Sequence, residues 1–221
     1  MQGIQIAIDG PAGAGKSTVA KRVAEKLGYK YIDTGAMYRA ITLKALNLNV
    51  DLGQESSYDF MDQTEFEIGD AYLKMDGIDV TQQIRSAEVT LAVSEVSSMT
   101  IVREKLVKLQ RDIAMNDKVI MDGRDIGTNV LKDATKKFFL TASIKERAKR
   151  RYLEYQKSGI NWSLEEIEND IARRDDYDSS RALHPLRPAD DAIIIDTSKL
   201  TLNEVINIII LNIGEVEEHG I

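Results

Sequence analysis

The 221-residue chain contains no cysteine. A disulfide framework, a thiolate nucleophile and a Cys-ligated metal site are therefore excluded, and a reducing compartment is the simplest setting. Long apolar runs are missing too. The most apolar segments, 192–195 and 205–213, are too short or too interrupted to cross a bilayer. The opening MQGIQIAIDG lacks the basic region and apolar core of a signal peptide, so a cytoplasmic location is expected. No internal repeat and no low-complexity linker interrupts the chain. Positive charge is not in excess: the formal net charge is −7, which argues against wholesale binding to nucleic acid or to an acidic membrane surface. Histidine is scarce. His184 sits beside Pro185 and His219 in an acidic tail, and neither suggests metal binding or acid–base work.

With 43% hydrophobic and 29% charged residues, the composition is that of an ordinary globular protein. The length suits one core domain over residues 1–221 with small insertions, and nothing in the sequence requires a dimer, so a monomer is expected. Arginine is unevenly spread. Ten of the thirteen lie between Arg103 and Arg187, so a basic pocket can exist inside an acidic protein.

The hydrophobic pattern alternates between strands and helices. Ile4, Ile6 and Ile8 predict a strand ending at Asp9-Gly10, and Val19, Val23, Ala24 and Leu27 a helix stopped by Gly28. Residues 29–32 read as a strand, and Asp33-Thr34-Gly35 as a turn and cap before a helix through Met37, Ile41 and Leu46. Between 62 and 86, short apolar runs broken by Gly69-Asp70 and Asp76-Gly77 predict a small β insertion. Residues 86–116 are one long helix or two abutting ones. Strands at 119–121, 137–140 and 192–195 and helices at 145–157, 163–177 and 201–213 follow. This order predicts an α/β fold with a parallel sheet, which the glycine-rich motif described next makes a three-layered P-loop fold. Ligands of such sheets bind at the carboxyl ends of the strands. Asp9-Gly10, Asp33-Thr34 and Asp122-Gly123-Arg124 are therefore expected on one rim.

Gly10-Pro11-Ala12-Gly13-Ala14-Gly15-Lys16-Ser17 matches G-x-x-x-x-G-K-[ST] between a predicted strand and a predicted helix. The glycines let backbone N–H groups turn inward around phosphate oxygens, with the helix dipole aimed at them. Gly10 to Thr18 are the expected ATP-binding residues. Lys16, expected in a solvent-facing loop, would reach the β- and γ-phosphates, and the Ser17 hydroxyl would hold Mg²⁺. Asp122 ends a hydrophobic strand as a Mg²⁺-supporting carboxylate does, although a turn aspartate reads the same way. Asp9 is a weaker candidate for that task.

A phosphate loop serves kinases, motor ATPases and switches alike. The arginines discriminate. A phosphate acceptor is already ionised at neutral pH, so its phosphorylation needs cationic clamping and exclusion of water rather than a general base. An arginine-rich rim without an evident base fits a phosphate acceptor.

Asp33-Thr34-Gly35-Ala36-Met37-Tyr38-Arg39, Asp122-Gly123-Arg124-Asp125-Ile126-Gly127-Thr128 and Arg173-Arg174-Asp175-Asp176-Tyr177-Asp178-Ser179-Ser180-Arg181 follow the loop in order. With these motifs the chain resembles the bacterial cytidylate (CMP/dCMP) kinases, P-loop nucleoside monophosphate kinases, from Gln5 to about Asn212. The resemblance implies transfer of the γ-phosphoryl group of ATP to CMP or dCMP, with no nucleic acid or membrane partner. It implies that Thr34, Arg39, Arg124 and Arg181 hold the acceptor phosphate. Ser94, Arg103 and Asp125 would face the cytosine, and Arg174 and Asp178 the sugar. Segment 62–86 would be the enlarged monophosphate-binding region, and 145–165 the lid, with Arg147 and Arg151 closing over the transferring phosphoryl. Lys16, Arg124, Arg147 and Arg151 are the expected catalytic residues. Ser17 occupies a position that is glycine in parts of the family, with Thr18 next to it, so either hydroxyl could serve Mg²⁺. Each arginine also has a plainer reading: Arg39 as a helix-surface ion pair, Arg173 and Arg174 beside Asp175 and Asp176 as a solvated charged turn, and Arg147 to Arg151 as an exposed basic face, a surface pair being worth about 0–1 kcal/mol. Kinases for UMP, AMP or shikimate, and a regulatory ATPase without an acceptor, remain the competing functions.

Overall fold

A computed structural model describes residues 4–69, 72–115, 117–157 and 161–219. Asp70 of the expected Gly69-Asp70 turn, Asn116, residues 158–160 of the expected lid and the His219 side chain lie outside the described residues. The chain divides into two compact units, one formed by residues 1–31 and 116–221 and the other by residues 32–115.

In the first unit, β1 (Gln5–Asp9) pairs in parallel with β6 (Val119–Gly123) and with β7 (Lys136–Thr141), which pairs in parallel with β8 (Ile193–Asp196). Lys30 of β2 (Lys30–Asp33) donates its N–H to the Lys118 carbonyl beside β6, completing the order β2-β6-β1-β7-β8. Every residue of β1 and β6 is buried, as expected of parallel strands covered on both faces. Helix α1 (Lys16–Leu27) turns Lys16, Val19, Ala20, Val23 and Ala24 inward, a spacing that keeps one helical stripe on the core. Gly28 ends it at φ 66°, a left-handed turn that glycine adopts without a Cβ penalty. Ile6, Ile8, Val23, Phe138, Leu140, Ile206 and Ile209 meet in the core between sheet and helices. A second cluster joins α5 (Ile144–Lys157) to α6 (Leu164–Ser180) through Ala148, Ile167 and Ile171, with Trp162 edge-on to Tyr155. Ser163 and Glu166 cap α6 reciprocally in a local S-x-x-E box. The chain closes with α7 (Leu202–His219). No helix among the described residues is long and apolar enough to cross a membrane.

The second unit carries α2 (Thr34–Asn47), a 3-10 segment (Glu55–Gln63), an antiparallel sheet of β3 (Phe66–Ile68), β4 (Leu73–Met75) and β5 (Ile78–Asp79), then α3 (Ala87–Val96) and α4 (Thr100–Ala114). Asp76 and Gly77 turn β4 into β5 with φ of 54° and 79°, both positive as a tight hairpin requires. Leu73, Met75, Val80 and Ile84 pack on Ala36 and Ala40 of α2.

Of the two readings for residues 86–116, the structure has the pair of helices. The break follows from serine chemistry. Ser97 and Ser98 donate their hydroxyls to the Ser94 and Glu95 carbonyls, at 3.0 and 2.7 Å, closing α3 locally. Helix α4 then starts at Met99, which has no capping side chain. Glu55 supplies the cap from 45 residues away: its carboxylate accepts the Thr100 and Ile101 N–H groups at 2.6 and 2.9 Å. Glu55→Ala is expected to cost ~1 kcal/mol, as loss of a cap does, and to lower Tm by ~3 °C in a chain of this size. Thermal denaturation checks this, and an unchanged Tm would remove Glu55 from the account of where α4 begins.

Candidate functional site

The phosphate loop leaves β1 at Gly10, whose φ is 147°. A Cβ there would overlap the Leu140 carbonyl of β7, so only glycine lets the loop depart so close to its neighbour. Gly13, at φ 76°, lies against Arg147, and Gly15, at φ 88°, is the N-cap of α1. Lys16 is the first residue of that helix. It is buried, not solvent-facing as the sequence suggested, because its side chain folds back and donates Nζ to the Pro11 carbonyl at 2.9 Å. Burial, helped by the Arg124 guanidinium, pushes its pKa down to about 7, while Asp122 and Asp9 pull the other way.

Two carboxylates flank the loop and do different things. Asp122 accepts the Ser17 hydroxyl on Oδ2 and the Tyr31 hydroxyl on Oδ1, both at 2.8 Å. Both oxygens of Asp9 are occupied by backbone: Oδ1 accepts the Ile126 N–H at 2.8 Å and Oδ2 the Gly127 N–H at 2.7 Å. Burial drives the Asp9 pKa up to about 6 against those two hydrogen bonds. Ser17 Oγ with Asp122 is thus an oxygen-only donor pair at the foot of the loop. That chemistry fits Mg²⁺, which takes one or two protein oxygens and completes its shell with water and substrate phosphates. Thr18 is exposed on the next position of α1.

Helix α5 places three arginines. Arg147, buried, donates Nε to the Ala142 carbonyl at 2.9 Å and Nη1 to the Ala12 carbonyl at 3.0 Å. Its fork grips Asp175 of α6, Nη1 to Oδ1 at 3.1 Å and Nη2 to Oδ2 at 2.5 Å. Arg147 therefore braces the phosphate loop from beneath. Arg150 ties the loop to the end of β8 through the Ala14 carbonyl and Thr197. Arg151 lies 3.8 Å from Asp170 and over the Tyr155 ring.

Within the same unit, Arg124 donates Nε to Asp178 at 2.9 Å, and Arg181 lies 4.0 Å from the same carboxylate. Burial alone would raise the Asp178 pKa, but Arg124, Arg174 and Arg181 outweigh it and hold the carboxyl below the usual range. The result is a buried anion surrounded by guanidiniums. Asp125 is buried nearby in sequence and accepts the Asn129 amide on Oδ2 at 3.0 Å. Arg173, by contrast, is an exposed partner of Asp170, solvated as its plainer reading supposed but within α6 rather than in a turn.

The remaining expected residues belong to the second unit. Thr34 is buried at the start of α2, beside Asp33, which caps that helix through the Ala36 N–H at 2.8 Å. Arg39 donates Nη1 to the Ile84 carbonyl and to Thr90 of α3, at 3.2 and 2.9 Å. Arg103 is buried over the Tyr38 ring and donates to the Ser97 carbonyl. Ser94 is half-buried on α3.

Sequence reasoning did not single out Tyr31, Asp175, Asn129 and Thr197, and it passed over Arg150 in favour of its neighbours Arg147 and Arg151. It also missed the π-type turn over Ile126–Val130, of the sort that often marks functional loops. Only Asp175 carried a signal, as a carboxylate inside an arginine-rich motif.

A parallel sheet with a phosphate loop between its central strand and first helix defines the P-loop α/β class. Shikimate kinase from Bacteroides thetaiotaomicron shares that fold, with a TM-score of 0.51 at 14% identity over 97% of this chain and 98% of that one. The family model for cytidylate kinase matches residues 6–215. The cytidylate kinase of Alkaliphilus oremlandii is 53% identical over 95% of this chain and 97% of its own. That of Desulfitobacterium hafniense is 52% identical over 98% and 95%. The chain belongs to the cytidylate kinase family.

Proposed function

We propose that the protein transfers the γ-phosphoryl group of Mg·ATP to CMP or dCMP, giving ADP and CDP or dCDP. The observation that carries this reading is the cluster of Arg124, Arg174 and Arg181 around Asp178, in the same compact unit as Lys16 and the phosphate loop. A cationic cluster of this kind serves an anionic acceptor, whose attacking oxygen needs no general base.

The loop amides and Lys16 hold the donor phosphates, the Lys16 ammonium leaving the Pro11 carbonyl for the β- and γ-oxygens. Ser17 and Asp122 hold the metal, with Tyr31 fixing the second oxygen of that carboxylate. When bound, Mg²⁺ would offset the negative charge of the donor phosphates. Arg124 and Arg181 bind the acceptor phosphate, a role the family resemblance also gives to Thr34 and Arg39. Asp125 reads the base, a role the family resemblance also gives to Ser94 and Arg103. A carboxylate is the right acceptor for the exocyclic amino group of cytosine, and a guanidinium the right donor for its O2 and N3. Arg174 and Asp178 address the sugar. Arg151 closes over the transferring phosphoryl, and for Arg147 to do so it would have to leave Asp175.

The test is ADP release from Mg·ATP with CMP, dCMP, UMP, AMP or no acceptor. Stimulation by CMP and dCMP well above the rest is expected, and Asp125→Ala should lose at least ~10-fold in kcat/KM for CMP relative to UMP, the scale of one buried hydrogen bond. Equal rates with and without acceptor would make the protein an ATPase and withdraw the acceptor assignments.

A further inference from the structure

Asp9 has no part in the reaction as described, yet it is one of the most completely engaged carboxylates in the protein. It is buried, closes β1, and immediately precedes Gly10 of the phosphate loop. Its two oxygens accept two consecutive amides, Ile126 N–H at 2.8 Å and Gly127 N–H at 2.7 Å. These amides follow directly on Asp125, at the start of the turn over Ile126–Val130.

Asp125 has φ −145° and ψ 31°, outside helical geometry, and its carbonyl accepts the Asn129 and Val130 N–H groups at 2.9 and 3.2 Å. These bonds close the turn on itself, while the Asp9 carboxylate ties it to the sheet. The fit is close: a Cβ on Gly127 would lie 3.4 Å from Asp9 Oδ2 and 3.1 Å from Lys137 Cδ. Register completes the geometry, because Asp9 pairs with Gly123, two residues before Asp125.

We propose that Asp9 is a positioning residue for acceptor-base recognition: its carboxylate fixes the Ile126 and Gly127 amides, and through them the direction of the Asp125 side chain. The proposal rests on the reading of Asp125 as the group that accepts the cytosine amino hydrogen. A carboxylate is required because only it offers two acceptor oxygens to two adjacent N–H groups. An asparagine of the same shape accepts one and turns an N–H₂ against the other. The donor site should feel this less, since the phosphate loop begins at Gly10 in its own backbone geometry and Asp122 does more than Asp9 to sustain the Lys16 charge.

The experiment compares the unaltered protein with Asp9→Asn, Gly127→Ala and Asp125→Ala, measuring kcat and KM for CMP and UMP at saturating ATP, and KM for ATP at saturating CMP. In Asp9→Asn, KM for CMP is expected to rise ~10-fold, the effect of one lost hydrogen bond to a charged group, with the KM for ATP within about twofold. The CMP-over-UMP preference should fall toward that of Asp125→Ala. Gly127→Ala, which leaves the carboxylate in place but crowds it, should show the same selective pattern in milder form, and serves if Asp9→Asn does not fold. If Asp125→Ala loses base preference while Asp9→Asn and Gly127→Ala keep it, or if KM rises equally for ATP and CMP, the positioning role is overturned alone. If the unaltered protein does not distinguish CMP from UMP, the reading of Asp125 falls and the role of Asp9 with it.

Discussion

Lys16→Ala is expected to lower kcat by at least ~10²–10³, the loss that follows removal of one preorganised charge-stabilising donor, while the protein stays folded. The structural case differs from the one the motif alone suggests. Lys16 is buried and bonded to the Pro11 carbonyl, so the variant gives up one hydrogen bond, worth ~1 kcal/mol. It also gives up a cation that burial already disfavours, as the pKa near 7 indicates. These two effects oppose each other, and Tm should move by no more than a few degrees. The measurement is steady-state ADP release alongside thermal denaturation. Wild-type turnover in a folded Lys16→Ala protein would mean that the donor phosphates bind elsewhere.

Arg147→Ala is expected to act mainly on stability. Its fork on Asp175 is a bidentate ion pair with one partner almost fully buried, and the same guanidinium carries the Ala12 and Ala142 carbonyls. Truncating it leaves an unpaired carboxylate and two unsatisfied carbonyls beneath the phosphate loop. Breaking a buried pair this way costs ~3 kcal/mol, or about 6–12 °C in Tm for a chain of this length. Arg147→Lys should recover only part, since an ammonium cannot reproduce the fork. Should Tm hold while kcat falls by ~10³, the scale of a lost phosphoryl-stabilising arginine, then Arg147 belongs on the transferring group rather than under the loop.

The local elements were readable in the sequence because their signals are local. Gly28 at the end of α1 and Asp76-Gly77 between β4 and β5 each act within a few residues. The start of α4 was not readable, because its cap is Glu55, and no pattern near Met99 announces a partner 45 residues upstream. The burial of Lys16 was hidden for a related reason. The motif states that a lysine follows the glycines, and not that in this arrangement its ammonium turns back onto Pro11.

The two loop-flanking aspartates mark the boundary most clearly. From sequence, Asp9 and Asp122 are alike: each ends an apolar strand, each precedes glycine, and each was a candidate for the metal. Sequence by itself determined the phosphate loop, the alternation of strands and helices, and the arginine-rich motifs, since all of these are contiguous. Tertiary structure decided which carboxylate does what. In the parallel pairing of β1 with β6, Ile8 lies level with Asp122 and Asp9 with Gly123. Successive side chains of a strand point to opposite faces, so this one-residue offset turns the two carboxylates apart. Asp122 meets Ser17 and Tyr31, and Asp9 meets the amides of Ile126 and Gly127. That offset is a property of two strands more than a hundred residues apart, fixed when they pair.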